Sequence, residues 1–257
     1  MIKATGFEYR HRYLLHGLIY TLCFAAPWPD YRNGFHGVEA WGFLHNGSVW
    51  FEIANVLSRP AYQHFASAWN GTLVVIVLFA LAGAALRTWG AAYLGASTVQ
   101  RAGMVSDRIV ADGPYRYVRN PLYLGTILHT IGLAFLMRPD AALLCIVLIT
   151  LLQLRLIGSE EPYLTERLGD TYRVYLAEVP RILPSLHPRT ASGSSRPDWK
   201  QGVLSELYLL GVAVSYASLG WTNGFGWETA ATRVLQGILI SLGLSVIVRA
   251  FIPRASY

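Results

Sequence analysis

Apolar runs long enough to cross a bilayer recur along this chain, and no other feature constrains its fold as tightly. A bilayer core is roughly 30 Å thick and takes about 20 apolar residues as a helix, which satisfies its own backbone where no water is present. Such runs cover residues 13–27, 71–86, 122–137, 141–157, 202–221 and 234–251, the second continuing to about residue 94 with Arg87 able to snorkel. Only 14% of the 257 residues are charged, against about a quarter in soluble domains. The chain reads as all-α: a polytopic integral membrane helix bundle of about six transmembrane helices.

The first run follows Lys3, Arg10 and Arg12, and Cys23-Phe24-Ala25 would pass as a leader cleavage site. The spans that follow favour a retained helix instead. Residues 28–69 carry Trp28, Trp41, Trp50 and Trp69, a residue type that favours the membrane interface. Within them, 35–57 contains Glu39, His45 and Glu52 and reads as interfacial or re-entrant. Arg138-Pro139-Asp140 folds the third and fourth runs into a hairpin, and Thr222-Asn223-Gly224 turns between the last two.

Every Lys and Arg except Arg32, Arg59, Arg138 and Arg233 falls on one side of this arrangement. The positive-inside rule then makes both termini cytoplasmic, in the inner membrane of a bacterium or an equivalent internal membrane. The same distribution argues against a nucleic-acid partner, because the arginines flank apolar runs and form no polar domain of their own. Cys23 and Cys145 lie inside apolar runs as small core residues. Gly237, Ser241 and Ser245 suit close helix packing in lipid. The whole chain forms one membrane-embedded domain: N-terminal spans and an interfacial connection (13–94), a core with the hairpin (95–184) and a C-terminal helical pair (185–257). Oligomeric state is not legible.

Two segments on the charged side carry chemistry. The first is Gly113-Pro114-Tyr115-Arg116-Tyr117-Val118-Arg119-Asn120-Pro121-Leu122-Tyr123-Leu124-Gly125. Gly113-Pro114 sets a turn, and Pro121 suits the first turn of a helix. The free N–H groups there, with Arg119 beside them, suit a carboxylate. Gly125 permits close approach to the backbone, and Tyr115, Tyr117 and Tyr123 offer faces for an adenine or a sulfonium. The second is Ser159-Glu160-Glu161-Pro162, where the fourth run emerges. Adjacent carboxylates at a membrane edge call for a cation between them. The hairpin returns this pair to the level of Asn120, so an anion site faces a cation site, as an amino-acid-like zwitterion requires.

Together with 168–184, these segments resemble the isoprenylcysteine carboxyl methyltransferase family and its phospholipid methyltransferase relatives, whose pattern is Arg-His-Pro-x-Tyr-x-Gly followed by a Glu-Glu pair. The resemblance covers residues 95–184. It implies S-adenosyl-L-methionine bound at the cytoplasmic face among Gly113, Tyr115, Asn120, Pro121, Tyr123, Gly125, Glu160 and Glu161, with a lipophilic acceptor entering from the bilayer. Arg119 matches the motif arginine. Asn120 stands where the pattern has histidine, and it donates a hydrogen bond without carrying charge or shuttling a proton. Methyl transfer to a carboxylate, thiol or hydroxyl rests mainly on positioning, whereas an amine acceptor calls for a base. Arg119 and Glu161 are therefore the candidate catalytic residues.

Tyr172 and Tyr175 share one face of an amphipathic helix over 163–178 and either pack it on the membrane or close the site. His129, one turn beyond Gly125, is either a substrate contact or a packing histidine. Glu206 faces the same cavity or the interface. No histidine pair has metal-ligand spacing, so no metal site is expected. Two rival classes are a sterol-reductase-like membrane enzyme using a nicotinamide dinucleotide, for which no glycine-rich phosphate loop is present, and a non-catalytic homologue.

Overall fold

The computed structural model describes residues 3–25, 28–29, 38–39, 47–59, 64–95, 109–219 and 227–249. Thr5 opens the first helix with a reciprocal cap, accepting from the Glu8 N–H while Glu8 accepts from its own. That helix, α1 (Gly6–Arg10), leads into α2 (Arg12–Ala25). The only strands among the described residues pair Trp28–Pro29 antiparallel with Val38–Glu39. Then come α3 (Val49–Ser58), α4 (Phe65–Leu94), α5 (Pro121–Ala134), α6 (Pro139–Leu168), α7 (Asp170–Glu178), α8 (Trp199–Ser205), α9 (Leu207–Leu219) and α10 (Trp227–Arg249), with a 3-10 turn at Gly113–Arg116.

Among the described residues, α4 and α6, at 30 residues each, are long and apolar enough to cross a membrane. A third candidate is α8 plus α9 taken as one broken span, bent by 73° at Glu206. Both α2 and α5 have 14 residues, about 21 Å at the α-helical rise and so shorter than a bilayer core.

The hairpin forms as the turn residues require. Arg138 caps α6 in extended conformation, Pro139 takes its first position, and α5 packs against α6. The fourth run does not end where its apolar stretch ends. The helix continues through Pro162 to Leu168, so Glu160 and Glu161 lie inside it and not at an emerging end. Proline at 162 removes the hydrogen bond to the Gly158 carbonyl without ending the helix, as membrane helices tolerate. The expected helix over 163–178 is split at Gly169, whose φ of +63° lets α7 depart in a new direction.

The largest helix interface joins α4 to α5. A Cβ on Gly83 would meet the Gly125 carbonyl at 2.7 Å, and one on Gly125 would meet the Gly83 carbonyl at 2.9 Å. These backbones touch because neither glycine has a side chain, which is how helices pack where lipid supplies no hydrophobic drive. Small residues also seat α9 on α10, Gly211 against Ser241 and Gly237 against Ser215.

Two tryptophans depart from the expectation of an interfacial belt. Trp50 is fully buried and stacks on Trp69 at 4.1 Å, its ring N–H donating to the Trp69 carbonyl at 3.1 Å. Satisfying the indole inside the protein removes its reason to sit at the headgroups. The Trp41, His36 and His45 positions, the turn around 222–224 and residues 250–251 lie outside the described residues.

Candidate functional site

The loop before α5 is held from both sides. Gly113 takes a φ of +57° with the Tyr93 ring packed where a Cβ would project, so only glycine fits. The backbone N–H groups of Arg119, Ser185 and Arg189 bond the carbonyls of Pro180, Tyr117 and Arg116 at 2.8–2.9 Å, and the Tyr175 hydroxyl donates to the Tyr115 carbonyl at 2.9 Å. Asp112 accepts from the Gly193 and Ser195 N–H groups. The polar stretch after α7 is thus a strap over the loop.

Arg119, partly buried, turns its Nε and Nη1 into the protein. Its Nε donates to Glu161 Oε1 at 3.1 Å and its Nη1 to the carbonyls of Val179, at 2.8 Å, and Leu176. Arg181 binds the same carboxylate from the strap side. Asn120 Nδ2 reaches the Arg181 carbonyl at 3.1 Å and Glu161 at 3.4 Å. Glu161, 4% exposed, is therefore the hub of a cluster that ties the loop, α6, α7 and the strap together.

Glu160 turns the other way. One residue along a helix rotates the side chain by about 100°, which carries Glu160 into a cavity of about 320 Å³ enclosed by α2, α4, α5, α6 and α9. Its carboxylate accepts from the hydroxyls of Tyr9 and Tyr123. Arg12 lies at the same end, its guanidinium 4.9 Å from the Tyr9 ring centre and 4.7 Å from that of Tyr13. Tyr115, Tyr172 and Tyr175 complete the aromatic wall, and burial raises the pKa of all three phenols, keeping them protonated. The Tyr115 hydroxyl is buried and bonds nothing.

Of the residues expected to bind cofactor or acceptor, Tyr115, Arg119, Asn120, Pro121, Tyr123, Glu160, His129, Tyr172 and Tyr175 all line this cavity. Gly113, Gly125 and Glu161 do not. Gly113 accommodates Tyr93, Gly125 accommodates Gly83 and Arg87, and Glu161 neutralises two arginines. Two guanidiniums and the Asn120 amide occupy the Glu161 carboxylate, and Arg119 Nε and Nη1 are engaged in turn.

The cavity runs on into the bundle, where signals in the sequence are weaker. Arg87 grips Glu206 through two bonds of 2.7 and 2.9 Å and donates to the Leu122 carbonyl and the Thr126 hydroxyl. His16 bonds Gln153 at 2.6 Å, and the Tyr20 and Thr130 hydroxyls meet at 2.6 Å. Reading Lys3, Arg10 and Arg12 only as topology charges passed over Tyr9, Arg12 and His16 as site residues. The available signal was His16, Gln153 and Arg87 standing inside apolar runs, since polar groups at membrane depth line cavities or pair with one another.

Apolar helices wrapped around a polar, aromatic-walled chamber describe a membrane protein with an internal cavity. Comparison with known proteins gives the chemistry its family context. Residues 67–171 match the phospholipid methyltransferase family model, a segment that carries Arg87, the Arg119–Gly125 motif and both glutamates. The protein-S-isoprenylcysteine O-methyltransferase of Schizosaccharomyces pombe is 33% identical over 105 residues, 36% of this chain and 44% of that one. The cobalt-zinc-cadmium resistance protein CzcN of Cupriavidus metallidurans is 25% identical over 185 residues, covering 66% of this chain and 79% of that protein. This chain spans less than half the length of the S. pombe methyltransferase it matches. The resemblance to membrane methyltransferases is carried by the central part of the chain. No solved structure matches significantly.

Proposed function

We propose that this chain is an S-adenosylmethionine-dependent methyltransferase that modifies a lipophilic acceptor at the cytoplasmic membrane face. In this reading six helical runs span the bilayer and both termini are cytoplasmic, in keeping with the one-sided placement of lysine and arginine. The observation that carries the reading is Glu160: a half-buried carboxylate, held by two tyrosines, in the wall of an aromatic chamber inside the family-matching segment.

The residues present fit the cationic part of such a cofactor. Glu160 offers a charge-assisted acceptor for an ammonium, the tyrosine faces suit a sulfonium or adenine, and the Tyr115 hydroxyl is open to a polar partner. The expected carboxylate grip by Arg119 is reduced, because its Nε and Nη1 are engaged by Glu161 and by the Val179 and Leu176 carbonyls. Arg12, lining the chamber at the same end, is the cation that answers that need. When bound, S-adenosylmethionine supplies a methyl group on a sulfonium whose departure leaves a neutral thioether.

The chain's own residues do the positioning. Tyr9 and Tyr123 fix the Glu160 carboxylate. Tyr172 and Tyr175 shield the chamber from cytoplasmic water. Arg119, Asn120, Glu161 and Arg181 act as positioning residues, fastening the loop that carries Tyr115 to the helices that carry Glu160 and Tyr175. Effective molarities from such alignment are large enough to drive an in-line transfer without acid–base help when the acceptor is already nucleophilic.

Calorimetric titration of the detergent-purified chain with S-adenosylhomocysteine tests the reading. Saturable binding that weakens in Glu160→Gln is expected. Absence of binding, or binding indifferent to that change, overturns it, and parallel titration with NADPH separates a reductase.

A further inference from the structure

The inner end of the chamber holds open polar valences that the proposed cofactor end does not use. His129 is 3% exposed, lines the cavity and has neither ring nitrogen hydrogen-bonded, its ring standing edge-on to Tyr208 at 5.6 Å. Across the cavity wall from α10, the Ser245 hydroxyl is shielded and equally without a partner. Buried polar groups are almost always satisfied, so each exception points to something that fills it.

The neighbouring polar groups are already matched. The two-bond Arg87–Glu206 pair cancels its own charge, and Gln153 and Thr130 occupy His16 and Tyr20. What remains among the described residues is an imidazole, with one donor and one acceptor in its neutral form, and two hydroxyls that do both, Ser245 and the Tyr208 phenol that stands edge-on to the imidazole. No uncompensated charge faces the space. A carboxylate or an ammonium entering here would shed its water without meeting a counter-charge, whereas a hydroxyl both donates and accepts.

We infer that His129 and Ser245 form a subsite for the neutral hydroxyl group of a lipophilic acceptor, whose apolar body lies among the surrounding helices. The assignment rests on the methyltransferase reading only for the word acceptor; the subsite itself is defined by the unpartnered groups. It adds one requirement to the acceptor: a neutral hydroxyl that reaches the inner end of the chamber.

The test uses the full chain in micelles, labelled with 15N in its histidine rings and titrated with 1-decanol, decanoate or decylamine at equal micellar mole fractions. Decanol is expected to shift the His129 ring signals saturably, at a half-saturating fraction about tenfold below those of the charged partners, the size of one or two satisfied hydrogen bonds. Ser245→Ala, which removes one oxygen from an intact helix, should weaken decanol several-fold, and His129→Phe should remove the preference for the hydroxyl. If the three head groups titrate alike, or His129 does not respond, the cavity end holds only water and the subsite is wrong. S-adenosylhomocysteine binding, measured on the same sample, reads the other end of the chamber. Decanol binding without it would leave the subsite standing and remove the methyltransferase reading, and the converse would do the opposite.

Discussion

Glu160 and Glu161 are consecutive residues with opposite surroundings. Glu161 is enclosed by two guanidiniums and an amide and fastens four segments. Glu160 is held by tyrosine hydroxyls, with Arg12 at the same end, and faces a cavity. The pair teaches that one helical step separates a carboxylate that builds the site from one available to a ligand, and that a motif naming both residues does not say which is which.

The hardest blow to that distinction would come from Glu161→Gln. It leaves Arg119 without its counter-charge, and breaking a buried pair costs about 3–5 kcal/mol. Thermal unfolding in detergent should show a large loss, with proteolysis appearing first in the strap over 180–198. A stability unchanged by this substitution would mean the cluster is not structural. Glu160→Gln should instead leave the melting temperature nearly unchanged and weaken S-adenosylhomocysteine by about 1.5–3 kcal/mol, the contribution of a charge-assisted hydrogen bond. If the two variants behaved alike, the contrast would be empty.

Tyr9→Phe sharpens the comparison on a smaller scale. It removes one donor from Glu160 and should cost about 1 kcal/mol of ligand binding without touching the Glu161 cluster. The smallest effect concerns Glu8, which anchors α1 to Arg155 on α6. Its hydrogen bond to Arg155 lowers its pKa from 4.5 to about 2. A depressed folded-state value means the anchoring is in full force above pH 4.5 and fades as pH falls through about 2. Protection factors of the α1 amides, which divide out the intrinsic pH dependence of exchange, should fall over that window, and Glu8→Gln should abolish that fall.

The hairpin was legible because Arg138-Pro139-Asp140 leaves few ways to turn between two apolar runs. The convergence of Asn120 with the glutamates followed from it. The separation of the two acids was not legible, because the helix runs on past the end of its apolar stretch and through a proline that usually signals a boundary. The Arg87–Glu206 pairing joins residues far apart in sequence, and a snorkelling arginine looks the same as one turned inward. Trp50 and Trp69 were misplaced for a related reason: composition reports an affinity for headgroups, while a stacked and hydrogen-bonded pair satisfies the same rings in the core.

The contact between Gly83 and Gly125 has a consequence for traffic. Where two backbones meet without side chains between them, the seam admits nothing as thick as a hydrocarbon tail. The wall that bears Tyr123, Thr126 and His129 is thus pinned to its neighbour at the crossing of Gly83 with Gly125. Any molecule that exchanges between bilayer and chamber has to pass where longer side chains do the sealing, since those can swing aside and a peptide backbone cannot.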